Sequence, residues 1–280
     1  MIVIKSPVDL EKILLKPRQE NKKIGFVATM GVLHNGHISL IKRSKHENDT
    51  TVCSIFINPK QFNDPKDLEK YPRPIENDLR LLTEEGTDII FLPDYNEIYP
   101  PNYIEPEINL LGLDTMLEGL IRPGHFKGVA LVVKRLFECV KPDVAYFGQK
   151  DYQQTLVIKE IVRQFEIPTV IEVCSILREE NGLAMSSRNI RLSAAAREKA
   201  SFIYQVLLQL KADVKNLSLK EALKKAENTL LENEGVKIDY LTIVNPLTLV
   251  PLETLNKGES SLALVVVDYW GVRLLDNIYI

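Results

Sequence analysis

Short runs of aliphatic and β-branched residues alternate with amphipathic stretches over the first 175 positions of the chain. The runs at 24–29, 51–57, 88–92, 143–147 and 169–175 have the length and composition of strands. The stretches at 37–47, 74–85, 126–140 and 152–165 carry the three-to-four spacing of helices that bury one face. That alternation predicts a parallel sheet covered by helices. An earlier helix starts at Ser6-Pro7-Val8-Asp9, where Ser6 can cap, Pro7 suits the first turn and Asp9 meets the positive dipole end. After about residue 192 the pattern changes. Helices at 194–211 and 219–232 follow, the second opened by a capping box of Ser218 and Glu221 and closed near Gly235. Strands at 237–244, 262–269 and 272–278 finish the chain. The expected fold is therefore α/β: a Rossmann-like doubly wound parallel sheet over residues 1–178, with a smaller C-terminal α+β domain over 179–280. The joint is expected between 178 and 191, a polar stretch containing Asn181-Gly182.

Composition narrows the function classes. Across 280 residues the formal net charge is only -3, with no long run of one sign. Nucleic-acid binding needs clustered Lys and Arg to displace counterions from phosphates, so such a partner is not expected. No apolar run approaches the roughly 20 residues of a membrane span, and residues 1–5 are too few for a signal-peptide core. A cytoplasmic protein is expected, without a membrane partner. Cys53, Cys139 and Cys174 are widely separated, lack metal-ligand spacing and sit in apolar stretches, so they read as small core residues in a reducing compartment.

Candidate chemistry gathers at strand ends. Gly25-Phe26-Val27-Ala28-Thr29-Met30-Gly31-Val32-Leu33-His34-Asn35-Gly36-His37 runs off the first long strand into a helix. Open parallel sheets bind ligands at this end of their strands. Gly31 and Gly36 permit close backbone approach, and His37 falls in the first helical turn, where free N–H groups favour an anion. That field disfavours imidazolium, so a neutral histidine donating to phosphate is expected. The Gly31–Gly36 spacing is that of a P-loop, yet His37-Ile38 replaces the Lys-Ser or Lys-Thr such a loop needs, which argues against P-loop kinase chemistry. His46 reads as a solvated charge near a helix end; His125 reads equally as a site residue or a cap.

Three further segments follow the same logic. Asn58-Pro59-Lys60-Gln61-Phe62 leaves the second long strand with two carboxamides that can orient a hydroxyl or a carboxylate. In Gly148-Gln149-Lys150-Asp151-Tyr152-Gln153-Gln154, Lys150 offers a mobile charge for phosphates and Asp151 an acceptor for ribose hydroxyls. The spacing of Lys150 and Gln154 predicts that both project from about the same helical face. Met185-Ser186-Ser187-Arg188 combines two hydroxyls and a guanidinium into a phosphate clamp on a loop that could close.

Together these strings resemble the pantothenate synthetase family, of the superfamily of adenylyl-transferring enzymes marked by His-x-Gly-His. The resemblance rests on Thr29-Met30-Gly31 with His34 and His37, on Asn58, Pro59, Gln61 and Phe62, on Tyr71-Pro72-Arg73, on Arg122-Pro123-Gly124-His125-Phe126 with Gly128 and Val129, on Tyr146-Phe147-Gly148 with Lys150, Asp151, Gln153 and Gln154, and on Ser186-Ser187-Arg188-Asn189. It implies an ATP-dependent ligase that joins pantoate to β-alanine through a pantoyl-adenylate, releasing AMP and pyrophosphate. It implies ATP held by Met30, Gly31, His34, His37, Gly148, Lys150, Asp151, Leu177, Met185, Ser186, Ser187 and Arg188. His34, His37, Lys150 and Arg188 would act in catalysis, with Asn58, Gln61 and Gln154 on the organic substrates. Magnesium is implied as an ion carried by ATP, with no dedicated metal site on the protein, and a homodimer as the assembly.

Some positions depart from the family pattern. Ala28 stands where Pro is common and Gln149 where Glu is frequent, and Glu180-Asn181 precede Gly182 where Asp is common. None removes an implied ligand; only loop stiffness is affected. A nucleotidylyltransferase would share His-x-Gly-His but keep AMP in its product, and would want more Arg or Lys near Gln61 and Gln154. A non-catalytic nucleotide-binding regulator would keep the glycines while losing the histidines, Lys150 or Arg188. A tRNA synthetase fragment is disfavoured by the acidic balance.

Overall fold

Six parallel strands form the first sheet of the computed structural model, which describes residues 1–63, 65–256 and 258–280. They are β1 (Ile2–Ile4), β2 (Ile24–Thr29), β3 (Thr50–Ile55), β4 (Ile89–Phe91), β5 (Val144–Gly148) and β6 (Val170–Cys174), in the order β1-β4-β3-β2-β5-β6. Along β2 to β5 neighbouring residues face opposite sides, and both sides are buried. Phe26, Val52, Ile89 and Ala145 enter one core with the helices Pro7–Gln19 and His125–Val140, while Val27, Cys53, Ile90 and Tyr146 enter the other with Asn35–Glu47 and Ile75–Glu84. Burial on both faces explains why these strands read as continuous apolar runs. The expected parallel sheet is therefore present, and its order places β2 between β3 and β5, where the direction of winding reverses.

Two expectations needed correction. The strand β1 was not anticipated: residues 1–5 were read only as a short apolar start, yet Ile2, Val3 and Ile4 pair with Ile89, Ile90 and Phe91 at the sheet rim. Three residues are too few to display a period. The single helix expected at 194–211 is instead two, Ala194–Lys199 and Phe202–Asp213. The Ser201 hydroxyl donates to the Glu198 carbonyl (3.3 Å), a back-bond that competes with the helical ladder where it breaks.

The chain divides into two compact units, Met1–Gly148 with Gln153–Cys174, and Gln149–Tyr152 with Ser175–Ile280. In the second, β7 (Val236–Val244), β8 (Leu262–Tyr269) and β9 (Val272–Tyr279) form an antiparallel sheet in that order. Leu241, Ile243, Ala263, Val265 and Leu274 pack under Ile203, Leu207, Leu210, Ala222 and Leu230 of the two long helices Phe202–Asp213 and Leu219–Leu231. The capping box is formed: Ser218 N–H donates to Glu221 Oε2 (3.0 Å) and Glu221 N–H to Ser218 Oγ (3.3 Å).

Candidate functional site

Every candidate of the first unit sits at or just beyond the carboxyl end of β3, β2 or β5, or on the helix after β5, the place where a doubly wound sheet takes its ligand. After β2, the Thr29 hydroxyl donates to Ser54 O (2.8 Å) and accepts from Gly31 N–H (3.1 Å). The next two residues are both left-handed, Gly31 at φ 79° and Val32 at φ 55°. A β-branched residue in that region is strained and persists only when its surroundings hold it. Asp78 holds it. Its fully buried carboxylate accepts from Val32 N–H (2.9 Å) and Leu33 N–H (2.8 Å). Burial pushes the Asp78 carboxyl above the ordinary range, and the two backbone donors pull the other way. A Cβ on Gly31 would lie 2.8 Å from Asp78 Oδ2, so glycine is needed there for space as well as for φ.

The turn delivers two histidines to the start of the helix Asn35–Glu47 in a reciprocal cap. His34 Nδ1 accepts from Gly36 N–H (3.1 Å), and His37 Nδ1 accepts from His34 N–H (3.3 Å). Both Nδ1 atoms are thus acceptors, so in the neutral rings the proton sits on Nε2 in each case. The rings lie 4.1 Å apart, tilted by 43°. The arrangement presents two N–H donors at a helix N-terminus, which suits an anion.

Beyond β3, the turn Pro59–Gln61 is braced from two directions. Buried Asn58 donates to Gly128 O (2.9 Å) and to Gln61 Oε1 (3.3 Å), and accepts from the Tyr99 hydroxyl (3.2 Å). Gln61 donates to Met30 Sδ (2.9 Å), which joins the first and second motifs. Gly128 is required by close approach, because a Cβ there would stand 2.3 Å from Lys60 O. His125 takes a definite role: its Nδ1 lies 2.8 Å from Gln61 O, an atom that only accepts, so Nδ1 carries the proton. Its Nε2 then accepts from Arg122 Nη1 (3.0 Å).

In the second unit Lys150 and Asp151 belong to a single 3-10 turn, Gln149–Asp151, and the α-helix begins only at Tyr152. The four-residue spacing therefore does not put Lys150 and Gln154 on one helical face, because that inference needs an unbroken α-helix. Lys150 Nζ donates to both Asp151 oxygens (3.1 Å each). Gln154 is half-buried on the helix, while its neighbour Gln153 turns inward to Leu113 O (2.6 Å) and Met116 O (2.8 Å).

The loop that carries the hydroxyls is ordered by its own contacts. Leu177 O accepts from Met185 N–H (3.0 Å), and Arg188 N–H donates to Ser186 Oγ (3.2 Å). Met185, Ser186, Ser187 and Arg188 are all half-buried. Asn181, one of the departures from the family pattern, accepts from Leu183 N–H (3.0 Å) and donates to Arg197 O and Glu198 O (3.0 Å each). Gly182 follows at φ 99°. Buried Asn189 donates to Glu179 Oε1 (2.7 Å) and Ala184 O (3.1 Å).

Sequence reading missed the groups that hold the motifs: Asp78, Gly128, the His125–Arg122 pair, Asp276 and Asn277. Only Arg122, His125 and Gly128 lay in a noted string; an acid in the first turn of an amphipathic helix, like Asp78, is ordinarily an exposed helix-dipole partner. The cysteines are as expected: all are free, and burial raises the Cys53 thiol to about 12 and the Cys139 thiol to about 11.

Known proteins match this chain end to end. A family model described as pantoate-beta-alanine ligase matches residues 2–279. A pantothenate synthetase from Cytophaga hutchinsonii is 45% identical over 285 residues, covering 100% of this chain and 99% of that protein. The solved pantothenate synthetase from Thermus thermophilus superposes with a TM-score of 0.90 at 41% identity, covering 99% of both chains. A pantoate-beta-alanine ligase from Francisella tularensis, solved in complex with beta-gamma ATP and beta-alanine, has a TM-score of 0.79 at 39% identity and covers 99% of this chain and 97% of that one.

Proposed function

The chain belongs to the pantoate-beta-alanine ligase family, and on that premise we propose that its capped histidines and clamped carboxamides carry out ATP-dependent condensation of pantoate with β-alanine. In the first half-reaction a pantoate carboxylate oxygen attacks the α-phosphorus of ATP. A carboxylate–phosphorus bond forms, the α–β bridge breaks, and pyrophosphate leaves with the electron pair. In the second, the β-alanine amine attacks the acyl carbon, loses a proton and expels AMP. Neither half needs a covalent protein nucleophile; both need positioning and stabilisation of charge.

The observation that carries this reading is the reciprocal histidine cap, in which both Nδ1 atoms accept backbone bonds at the helix N-terminus. His34 and His37 donate to the phosphates, next to the backbone of Met30 and Gly31. Asn58 and Gln61 take the acid, with Gln154 assisting, and His125 keeps the Gln61 turn in place. Gly148, Lys150 and Asp151 meet ribose and phosphates, and the Leu177 backbone meets adenine. Met185, Ser186, Ser187 and Arg188 take the leaving pyrophosphate, so the C-terminal α+β domain of residues 179–280 acts as the lid. Magnesium arrives on ATP oxygens; among the described residues no group of three or more His, Cys, Asp or Glu is arranged to hold a metal. No described helix is long and apolar enough to cross a membrane. Three unpaired cysteines suit the cytoplasm, and the exposed Ile2 and Val3 of rim strand β1, with exposed Met1 before them, suit a homodimer, which light scattering would test.

The decisive assay supplies ATP, magnesium and pantoate, then β-alanine, and follows AMP and pyrophosphate. AMP release that requires both organic substrates supports the ligase. Pyrophosphate release with AMP retained in the product points to a nucleotidylyltransferase and refutes it.

A further inference from the structure

The strand β9 carries Leu274-Leu275-Asp276-Asn277, a segment with no chemical signature in the sequence. On β9 these side chains alternate between the two faces of the sheet, so Asp276 and Asn277 point opposite ways. Both are polar and both are buried, at 4% and 2% exposure. Burying such groups is unfavourable unless each polar atom is matched, and here the matches lie far off in sequence.

Asn277 grips the turn that carries Lys150. Its Nδ2 donates to Gln149 O and to Lys150 O (3.0 Å each), and its Oδ1 accepts from Gln149 Nε2 (3.0 Å). Two residues on, at the next position of the same face, the Tyr279 hydroxyl lies 3.1 Å from that of Tyr152. Consecutive same-face positions of one strand thus hold both ends of the segment 149–152. That segment groups with the C-terminal unit although β5 precedes it directly.

Asp276 grips the other segment. Its carboxylate accepts two parallel bonds from Arg178, at 2.6 and 2.9 Å, and a third from Asn277 N–H (2.7 Å). Arg178 also donates to Gly182 O (3.1 Å) and stacks 3.5 Å over the Tyr204 ring. A planar guanidinium fixed on three sides anchors the start of the loop that runs from Leu177 to Arg188.

We propose that Asp276 and Asn277 are positioning residues for the nucleotide: Asn277 sets the backbone that presents Lys150, and Asp276 sets the base of the loop that presents Met185 to Arg188. Neither touches substrate; each acts through the segment it holds. The proposal rests on the ATP-dependent reading above.

The test uses the full chain with Asn277→Asp, Asn277→Ala and Asp276→Asn. Asn277→Asp keeps side-chain volume and the acceptor for Gln149, but loses both donors and turns a carboxylate towards two carbonyls. It remains informative if the alanine variant does not fold. ATP affinity is read by titration calorimetry, and KM for ATP and for pantoate by AMP release. A 1 Å misplacement of a binding group is worth up to about 100-fold, so ATP affinity should fall roughly 10- to 100-fold in the Asn277 variants. Pantoate KM should stay within about twofold, because Asn58 and Gln61 are held by other residues. Asp276→Asn should weaken ATP in the same direction. A merely structural role would lower the melting temperature and the active fraction while leaving both KM values alone; that outcome overturns the proposal. Failure of the wild-type protein to bind ATP would instead overturn the ATP-dependent reading itself.

Discussion

Asp78→Asn offers a direct test of how the histidine motif is held. The substitution keeps shape and volume but replaces one carboxylate oxygen with an NH2 group facing a backbone N–H. One of the two bonds, from Val32 or Leu33, is lost and a buried donor is left without a partner. A hydrogen bond to a charged group contributes about 1.5–3 kcal/mol. Relief from burying a carboxylate offsets part of that, since burial already pushes the Asp78 carboxyl upward. Release of Val32 from its left-handed conformation, worth about 1–3 kcal/mol, offsets more, but only by letting the turn move away from its native position. The net effect on stability should therefore be small, about 1–2 kcal/mol, or a melting shift of roughly 2–8 °C. The effect on turnover should be larger. Val32 and Leu33 directly precede His34, and a shift of about 1 Å in its donor costs up to about 100-fold.

The assay is AMP release at saturating substrates beside thermal unfolding of the same preparations. Turnover within twofold of wild type, with unchanged melting, would refute the idea that Asp78 holds the turn. A pH series adds a signed check. The folded carboxyl titrates above its unfolded counterpart, so between the two values the native state binds more protons. Wild-type stability then falls as pH rises through that window, whereas asparagine contributes no such slope. The stability advantage of wild type over Asp78→Asn should narrow as pH climbs from the ordinary aspartate range.

Replacing His37 or Lys150 by alanine should lower turnover about 10²–10³-fold, the usual effect of losing one pre-organised donor, and single-turnover adenylation would report it. Gly128→Ala brings a Cβ to 2.3 Å from Lys60 O, an overpacking of about 1–3 kcal/mol that should displace Gln61 and raise pantoate KM more than ATP KM in steady-state assays. Iodoacetamide at neutral pH should leave turnover unchanged, because burial raises the Cys53, Cys139 and Cys174 thiols and keeps thiolate scarce; loss of activity on brief treatment would contradict that.

What the sequence made legible follows from distance along the chain. Strands β2 to β5 announced themselves because burial on both faces forces uninterrupted apolar runs, and the histidine pair did so because its partners, Gly36 and His34, are neighbours. Asp78 acts across 45 and 46 residues, and Asn277 across 127 and 128, so nothing local marks either one. The rim strand β1 was hidden by its length. The break at Ser201 was hidden because serine is an ordinary helical residue until its hydroxyl finds a carbonyl. The same-face reading of Lys150 and Gln154 failed on a single 3-10 turn, which no periodicity reveals.

On the proposed reading, the histidine geometry leaves the charge of the nucleotide to be met by other residues. With both Nδ1 atoms accepting backbone bonds at a helix N-terminus, neutral rings at His34 and His37 would offer a phosphate hydrogen bonds without net charge. An ATP tail carries several negative charges, so the compensating cations must come from elsewhere, and among the residues proposed to hold ATP the basic ones are Lys150 and Arg188. Lys150 is engaged with both oxygens of Asp151. On the proposed reading a phosphate competes for that ammonium, and it would win only if the turn's backbone stays fixed while the side chain swings. An ammonium on a flexible stem can change partners in this way; a guanidinium locked in a planar fork, like that of Arg178, cannot.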